Sequence, residues 1–174
     1  MTKENLTPFR DTFTAFFRTK LIDPAIIEAK VQELRAQKKT IGTLNGSFDL
    51  LHAGHLQIIY EASTVADVLI VALNTDSSIK KYKSSHRPII PLDYRLQMMS
   101  ALQFVDYVTW FDETDPRALL KKIRPDIHVN GADWGKDCIE AETVASFGGK
   151  IHIVQLVPGL STSIILKKIR ASCD

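Results

Sequence analysis

Two histidines three residues apart, His52 and His55, flank Gly54 directly after a short apolar run and the turn Asn45-Gly46-Ser47-Phe48-Asp49. Spacing of three brings both imidazoles to one side of a first helical turn. A helix starting there offers free backbone N–H groups and the positive end of the helix dipole, which together attract an anion. Two imidazole donors beside them suit a polyphosphate. Asn45-Gly46 lets the backbone come close to a ligand, and Gly54 removes the side chain that would block it. Two core histidines adjacent by chance would show the same spacing, but the strand-turn-helix context favours phosphate.

Other tracts repeat this placement of polar residues after apolar runs. Asn74-Thr75-Asp76-Ser77-Ser78 is either part of a site or a plain helix cap. The stretch from Lys80 through Lys81 and Lys83 to Arg87-Pro88 is basic and has no apolar face. It reads as a mobile loop that grips phosphate, with Arg87 favoured, or as a solvated basic loop. Asp93 and Arg95 read as cap and decoration of the next helix. In Asn130-Gly131-Ala132-Asp133-Trp134-Gly135, Asp133 could hold a metal or a substrate hydroxyl and Trp134 could wall a pocket; turn chemistry alone also explains them. Gly159-Leu160-Ser161-Thr162-Ser163 precedes a last helix, where hydroxyls serve as caps or as phosphate donors. Together these tracts point to a nucleoside triphosphate.

The elements that must position them alternate. Short apolar strands are expected at Thr40–Leu44, Val68–Asn74, Tyr107–Phe111, Ile127–Asn130 and Ile151–Val154. Helical patterns lie at His55–Ser63, Leu92–Leu102, Pro116–Ile123, Ile139–Ser146 and Ser161–Ala171. Strands separated by helices imply a mostly parallel sheet covered on both faces, with ligands beyond the carboxyl ends of the strands. The stretch Thr7–Lys39 reads as helical, with Asp23-Pro24 as a start signal, Ile27, Val31 and Leu34 on one face, and Arg35, Lys38 and Lys39 as a solvated basic end. The expected architecture is α/β: a Rossmann-like open parallel sheet flanked by helices in residues 40–174, with an N-terminal helical extension in residues 1–39.

Composition narrows the function classes. The 174 residues are 45% apolar, enough for a core without disulfides or a structural metal. Twenty-two basic against 20 acidic residues leave +2, too little to coat a polyanion, and no interleaved aromatic-basic patch suggests nucleic-acid binding. Two cysteines, Cys138 and Cys173, form neither a disulfide framework nor a zinc site and fit thiols in a reducing compartment. No apolar run reaches the ~18 residues of a membrane span, and the acids Glu4 and Asp11 disfavour a signal peptide. A soluble cytoplasmic protein with no membrane partner is expected.

With these residues in place, the chain resembles the nucleotidyltransferases marked by an H-x-G-H motif. Within them it is similar to the cytidylyltransferase-like family, and in particular to the adenylyltransferase domain of ADP-heptose synthases. The resemblance runs from Lys30 to Arg170 through LNGSFDLLHAGH, VALNTDSSIKKYK, HRPIIPLDYR, ALQFVDYV, PDIHVNGADW and GLSTS, in order. It implies transfer of a nucleoside monophosphate from ATP or CTP to a sugar or polyol phosphate, with Mg²⁺ and release of pyrophosphate.

By the same resemblance, His52, His55 and Lys83 are the catalytic candidates. Asn45, Gly46, Phe48, Asp49, Gly54, Asn74, Asp76, Lys80, Arg87, Gly159, Ser161 and Thr162 would hold the nucleotide, and Asn130, Gly131, Asp133 and Trp134 the acceptor. Heptose adenylyltransferases commonly read V-K-G-G-D-Y where this chain has Val129-Asn130-Gly131-Ala132-Asp133-Trp134, which leaves the sugar and the base open. The usual Thr-Asn-Gly-Cys appears as Leu44-Asn45-Gly46-Ser47. Family domains are often fused to a sugar kinase, so a separate kinase is expected to supply the acceptor, and the resemblance favours a homodimer. Two other readings stay open: a cytidylyltransferase acting on glycerol 3-phosphate, and a nucleotide-binding module without catalysis.

Overall fold

The computed structural model describes residues 7–132, 135, 137–155 and 158–172. Five strands form one fully parallel sheet: β1 (Ile41–Gly46), β2 (Val68–Asn74), β3 (Tyr107–Phe111), β4 (Ile127–Gly131) and β5 (Lys150–Val154). Their order across the sheet is β3-β2-β1-β4-β5. All seven residues of β2 are buried, as a strand covered on both faces requires. The strands expected at Val68–Asn74 and Tyr107–Phe111 have those bounds, and the other three differ by one or two residues at their ends.

Eight helices are present among the described residues: α1 (Thr7–Lys20), α2 (Ile27–Ala36), α3 (Ala53–Thr64), α4 (Asp76–Tyr82), α5 (Leu92–Ser100), α6 (Arg117–Ile123), α7 (Ala141–Ser146) and α8 (Thr162–Ser172). One core layer packs Ile59 and Ala62 of α3 and Leu96 and Met99 of α5 onto Leu44, Leu69, Val71 and Val129. The other packs Ile27, Val31 and Leu34 of α2 and Leu119 and Ile123 of α6 onto Ile41, Ile70 and Phe111. The alternation of side chains along each strand feeds both layers. The apolar face of α2 therefore covers one face of the sheet.

Two expectations are corrected. The helical stretch Thr7–Lys39 is interrupted at residues 21–26, around the expected start signal Asp23-Pro24; there Leu21 bridges to Val108 and the Ile22 N–H donates to the Val108 carbonyl. Asp23 closes a turn there, accepting from the Ala25 N–H at 2.8 Å, and α2 begins only at Ile27. The basic stretch after β2 is not all loop, because its first part is α4. Thr75 caps that helix by accepting from the Ser78 N–H, and Ile79 anchors it in the core with no exposed surface. A single apolar anchor in seven residues leaves no amphipathic pattern to read.

The topology fixes where a ligand can bind. From β1 the chain runs outward through β2 to β3, then returns to β4 on the other side of β1. The connections leaving β1 and β4 diverge, and the crevice between them opens at the carboxyl ends of the strands.

Candidate active site

A cavity of about 610 Å³ occupies that crevice. Its wall contains Asn45, Gly46 and Phe48 from the end of β1, His52, Gly54 and His55 from the start of α3, and Asn74 from the end of β2. Lys83, Asn130, Gly131, Ser161 and Thr162, also expected, line it as well. Residues far apart in sequence thus meet because each follows a strand of one parallel sheet.

The histidine pair stands at the N-terminus of α3. Its rings stack with centroids 3.9 Å apart and planes 20° apart, and Phe48 packs edge-on against His55 at 5.2 Å. His52 is the N-cap residue: its carbonyl accepts from the His55 and Leu56 N–H groups, while its side chain makes no cap. Among the described residues, neither Nδ1 has a hydrogen-bond partner, nor does the Oδ1 of Asn45 beside them. Buried polar atoms of this kind are costly unless something binds them. Burial, then the neighbouring His52 and Lys83, pushes the His55 pKa down to about 4, and burial lowers that of His52. Both rings are neutral at pH 7 and each carries one N–H to donate.

Gly54 is required by contact. A Cβ there would lie 3.1 Å from the His52 ring and 3.5 Å from the Cβ of Leu160. The absence of a side chain thus seats His52 and admits the segment leading into α8. In that segment Ser161 caps α8, its hydroxyl accepting from the Ile164 N–H at 3.2 Å and its carbonyl from the Ile165 N–H at 3.0 Å. Thr162 and Ser163 line the cavity. Two helix N-termini, of α3 and α8, therefore face one space beside the histidines, each adding the positive end of its dipole there.

Lys83 reaches the turn after β1, its Nζ donating to the Ser47 hydroxyl at 2.8 Å. Desolvation there, and the nearby Arg87 charge, hold its pKa below the ordinary lysine range. Tyr82 donates to the Asn74 side chain at 3.4 Å, and its own pKa is raised by burial.

Other expected residues lie outside the cavity wall. Asp49, with no exposed surface, takes hydrogen bonds from Arg87 and from the Ile89 and Ile90 N–H groups. Asp76 pairs with the buried Arg95 at 2.7 Å. Lys80 is exposed on α4, and Gly159 sits in a turn with φ +76°. Asp133, Trp134 and Cys173 lie outside the described residues, and Cys138 is buried with a free thiol.

Arg95 is no surface decoration of α5 but a buried part of the site's frame, and Tyr82 and Glu140 join the cavity wall without having been expected there. Arg95 is 1% exposed and bonds the Ile90 carbonyl, the Ser47 carbonyl and Asp76, tying three segments of the site together. An arginine in an otherwise apolar helical face, Leu92-x-x-x-Leu96, was the available signal.

The chain is similar to known proteins in sequence and in fold. The model of the cytidylyltransferase-like family matches residues 43–170. The bifunctional protein HldE of Campylobacter curvus is 43% identical over 143 residues, 82% of this chain and 30% of the relative. That of Hahella chejuensis is 36% identical over 145 residues, covering 83% and 30% respectively. The chain thus spans about 30% of the length of these curated relatives. Among solved structures, a lipopolysaccharide core biosynthesis protein of Thermoplasma volcanium aligns with TM-score 0.56 and 27% identity, over 68% of this chain and 97% of that one. The pantoate-β-alanine ligase of Francisella tularensis shares the fold at TM-score 0.63 and 19% identity, over 85% of this chain and 72% of that one.

Proposed function

Since this chain belongs to the cytidylyltransferase-like family of nucleotidyltransferases, we propose that it transfers AMP from ATP to a sugar 1-phosphate, with D-glycero-β-D-manno-heptose 1-phosphate as the acceptor. The products are ADP-heptose, a precursor for the lipopolysaccharide core, and pyrophosphate. The observation that carries the reading is the stacked neutral histidine pair between the α3 and α8 N-termini, with both Nδ1 atoms unpartnered among the described residues and Lys83 close by. The HldE relatives and the lipopolysaccharide core biosynthesis protein support the choice of acceptor.

The acceptor's phosphate oxygen attacks the α-phosphorus in line, forming one P–O bond as the bond to pyrophosphate breaks. A sugar phosphate is already ionised near pH 7, so no general base is needed. The protein's part is to position both phosphates and to stabilise charge on the transferring oxygens. His52 and His55 donate to the triphosphate, the two helix N-termini add their dipoles, and Lys83 draws the acceptor's phosphate toward the α-phosphorus. No covalent intermediate forms on the protein.

Among the described residues, no group of three or more His, Cys, Asp or Glu could hold a metal. The donors around the histidines are neutral or cationic, which fits Mg²⁺ carried in on the triphosphate's own oxygens. When bound, Mg²⁺ neutralises part of the phosphate charge. The acceptor's phosphate has to come from a kinase step upstream.

The replacement of the family's lysine by Asn130 favours keeping a second reading: CTP with glycerol 3-phosphate. Pyrophosphate release measured with ATP and CTP, each against heptose 1-phosphate and glycerol 3-phosphate, separates them. Release only with ATP and the heptose is expected. Nucleotide binding with no release in any combination would contradict transfer altogether.

A further inference from the structure

Two carboxylates stand in the cavity wall, and their surroundings differ. Asp115 is engaged by Arg117, whose Nε and Nη2 donate to it at 2.9 and 3.1 Å. Glu140 is 5% exposed, and its hydrogen-bond partner is the amide of Asn130 at 3.5 Å, the outer limit of such a bond. Asn130, near the end of β4, is buried to the same degree, and both residues line the cavity. The Cys138 thiol, a weak donor, lies beside the pair.

An ionised carboxylate offers about four acceptor positions, and a buried one is stable only when they are satisfied. Among the described residues, no lysine, arginine or histidine forms an ion pair with Glu140, although Arg117, bonded to Asp115, interacts with it electrostatically. Its remaining acceptor capacity lies in the cavity wall. A carboxylate there repels phosphate and complements a neutral group bearing N–H or O–H donors.

The sheet order says which part of a ligand this is. Lys83 follows β2 through α4, the histidines follow β1, and Glu140 follows β4. Because the order is β2-β1-β4, the histidines lie between Lys83 and Glu140. A phosphate drawn by Lys83 and a triphosphate held at the histidines leave the Glu140 side for the uncharged end of the nucleotide.

We infer that Glu140, oriented by Asn130, reads the nucleoside of the triphosphate, accepting hydrogen bonds from its exocyclic amine or its ribose hydroxyls. The inference rests on the nucleotidyl-transfer reading above and names the residue that sets its nucleotide specificity.

Titration calorimetry of the full chain tests it with ATP, inosine triphosphate, 2′-deoxyATP, CTP and UTP, without acceptor. The wild type should discriminate by at least about tenfold, the scale of one hydrogen bond to a charged group. It should do so against the nucleotides lacking the amine or against the one lacking the 2′-hydroxyl. Glu140→Gln should weaken binding of the preferred nucleotide about tenfold and abolish that discrimination, with its melting temperature checked alongside. Equal wild-type affinity for all five nucleotides would overturn the inference and needs no variant. So would a Glu140→Gln chain that binds every nucleotide as the wild type does, including one that changes only the KM of the acceptor. Failure of the wild type to bind any triphosphate would instead remove the underlying reading as well.

Discussion

Asp49 and Arg87 form a pair beneath the site: the Arg87 Nε donates to Oδ2 of Asp49, whose Oδ1 accepts the Ile89 and Ile90 N–H groups at 2.8 and 2.9 Å. Asp49 has no exposed surface, and the Arg87 side chain is 14% exposed. The pair ties the segment after Lys83 to the turn after β1, so it supports the loop proposed to bind phosphate. Removing one partner of a buried ion pair leaves the other charge uncompensated, at about 3–5 kcal/mol. Asp49→Ala should therefore lose about 3 kcal/mol or more in urea unfolding, and a midpoint equal to wild type would exclude this supporting role.

Lys83 acts in front of that support. Removing its ammonium takes away a charge-assisted donor, which typically contributes about 1.5–3 kcal/mol. Lys83→Ala should raise the KM for phosphate-bearing substrates about tenfold or more while the melting temperature holds. Steady-state kinetics with each substrate varied in turn would show it. Unchanged KM values would remove Lys83 from the site.

Gly54 separates activity from stability. Alanine at this position raises helix propensity by up to about 1 kcal/mol, yet its Cβ would lie 3.1 Å from the His52 ring. Gly54→Ala is expected to fold with a melting temperature near that of wild type and to lose activity about tenfold or more through a displaced His52. Full activity would mean that the ring has room to move.

His128 sets an acid limit on the fold. It is fully buried on β4, with its Nδ1 2.7 Å from the Thr43 hydroxyl, and desolvation lowers its pKa from 6.5 to about 4. The unfolded chain therefore binds more protons than the folded one between those values. Stability should fall as pH drops from about 6.5 toward 4, by about 3 kcal/mol from this group. His128→Gln should flatten that dependence in denaturation series across the interval. A slope equal to wild type would assign the acid sensitivity elsewhere.

The part of this site legible in sequence was the part built from local signals. His52, Gly54 and His55 stand together in the chain, and β2 and β3 are apolar runs flanked by polar turns, so pattern alone located them. α4 escaped because Ile79 is its only apolar anchor. Arg95, which reads as helix decoration, and Glu140 and His128, which carry no local signal, were illegible for a different reason. Their partners, Ser47, Asn130 and Thr43, are brought to them by the order of strands and by loop return, and no spacing rule encodes that. Buried polar residues become readable only when the topology supplies the other half of each contact.

If the histidine pair stabilises the transferring phosphates, His55→Ala must slow single-turnover nucleotidyl transfer. A correctly folded variant should show a chemical rate lower by about two orders of magnitude or more, the scale of losing one oxyanion-type donor. A near-normal rate from that folded variant would exclude the histidine pair from catalysis.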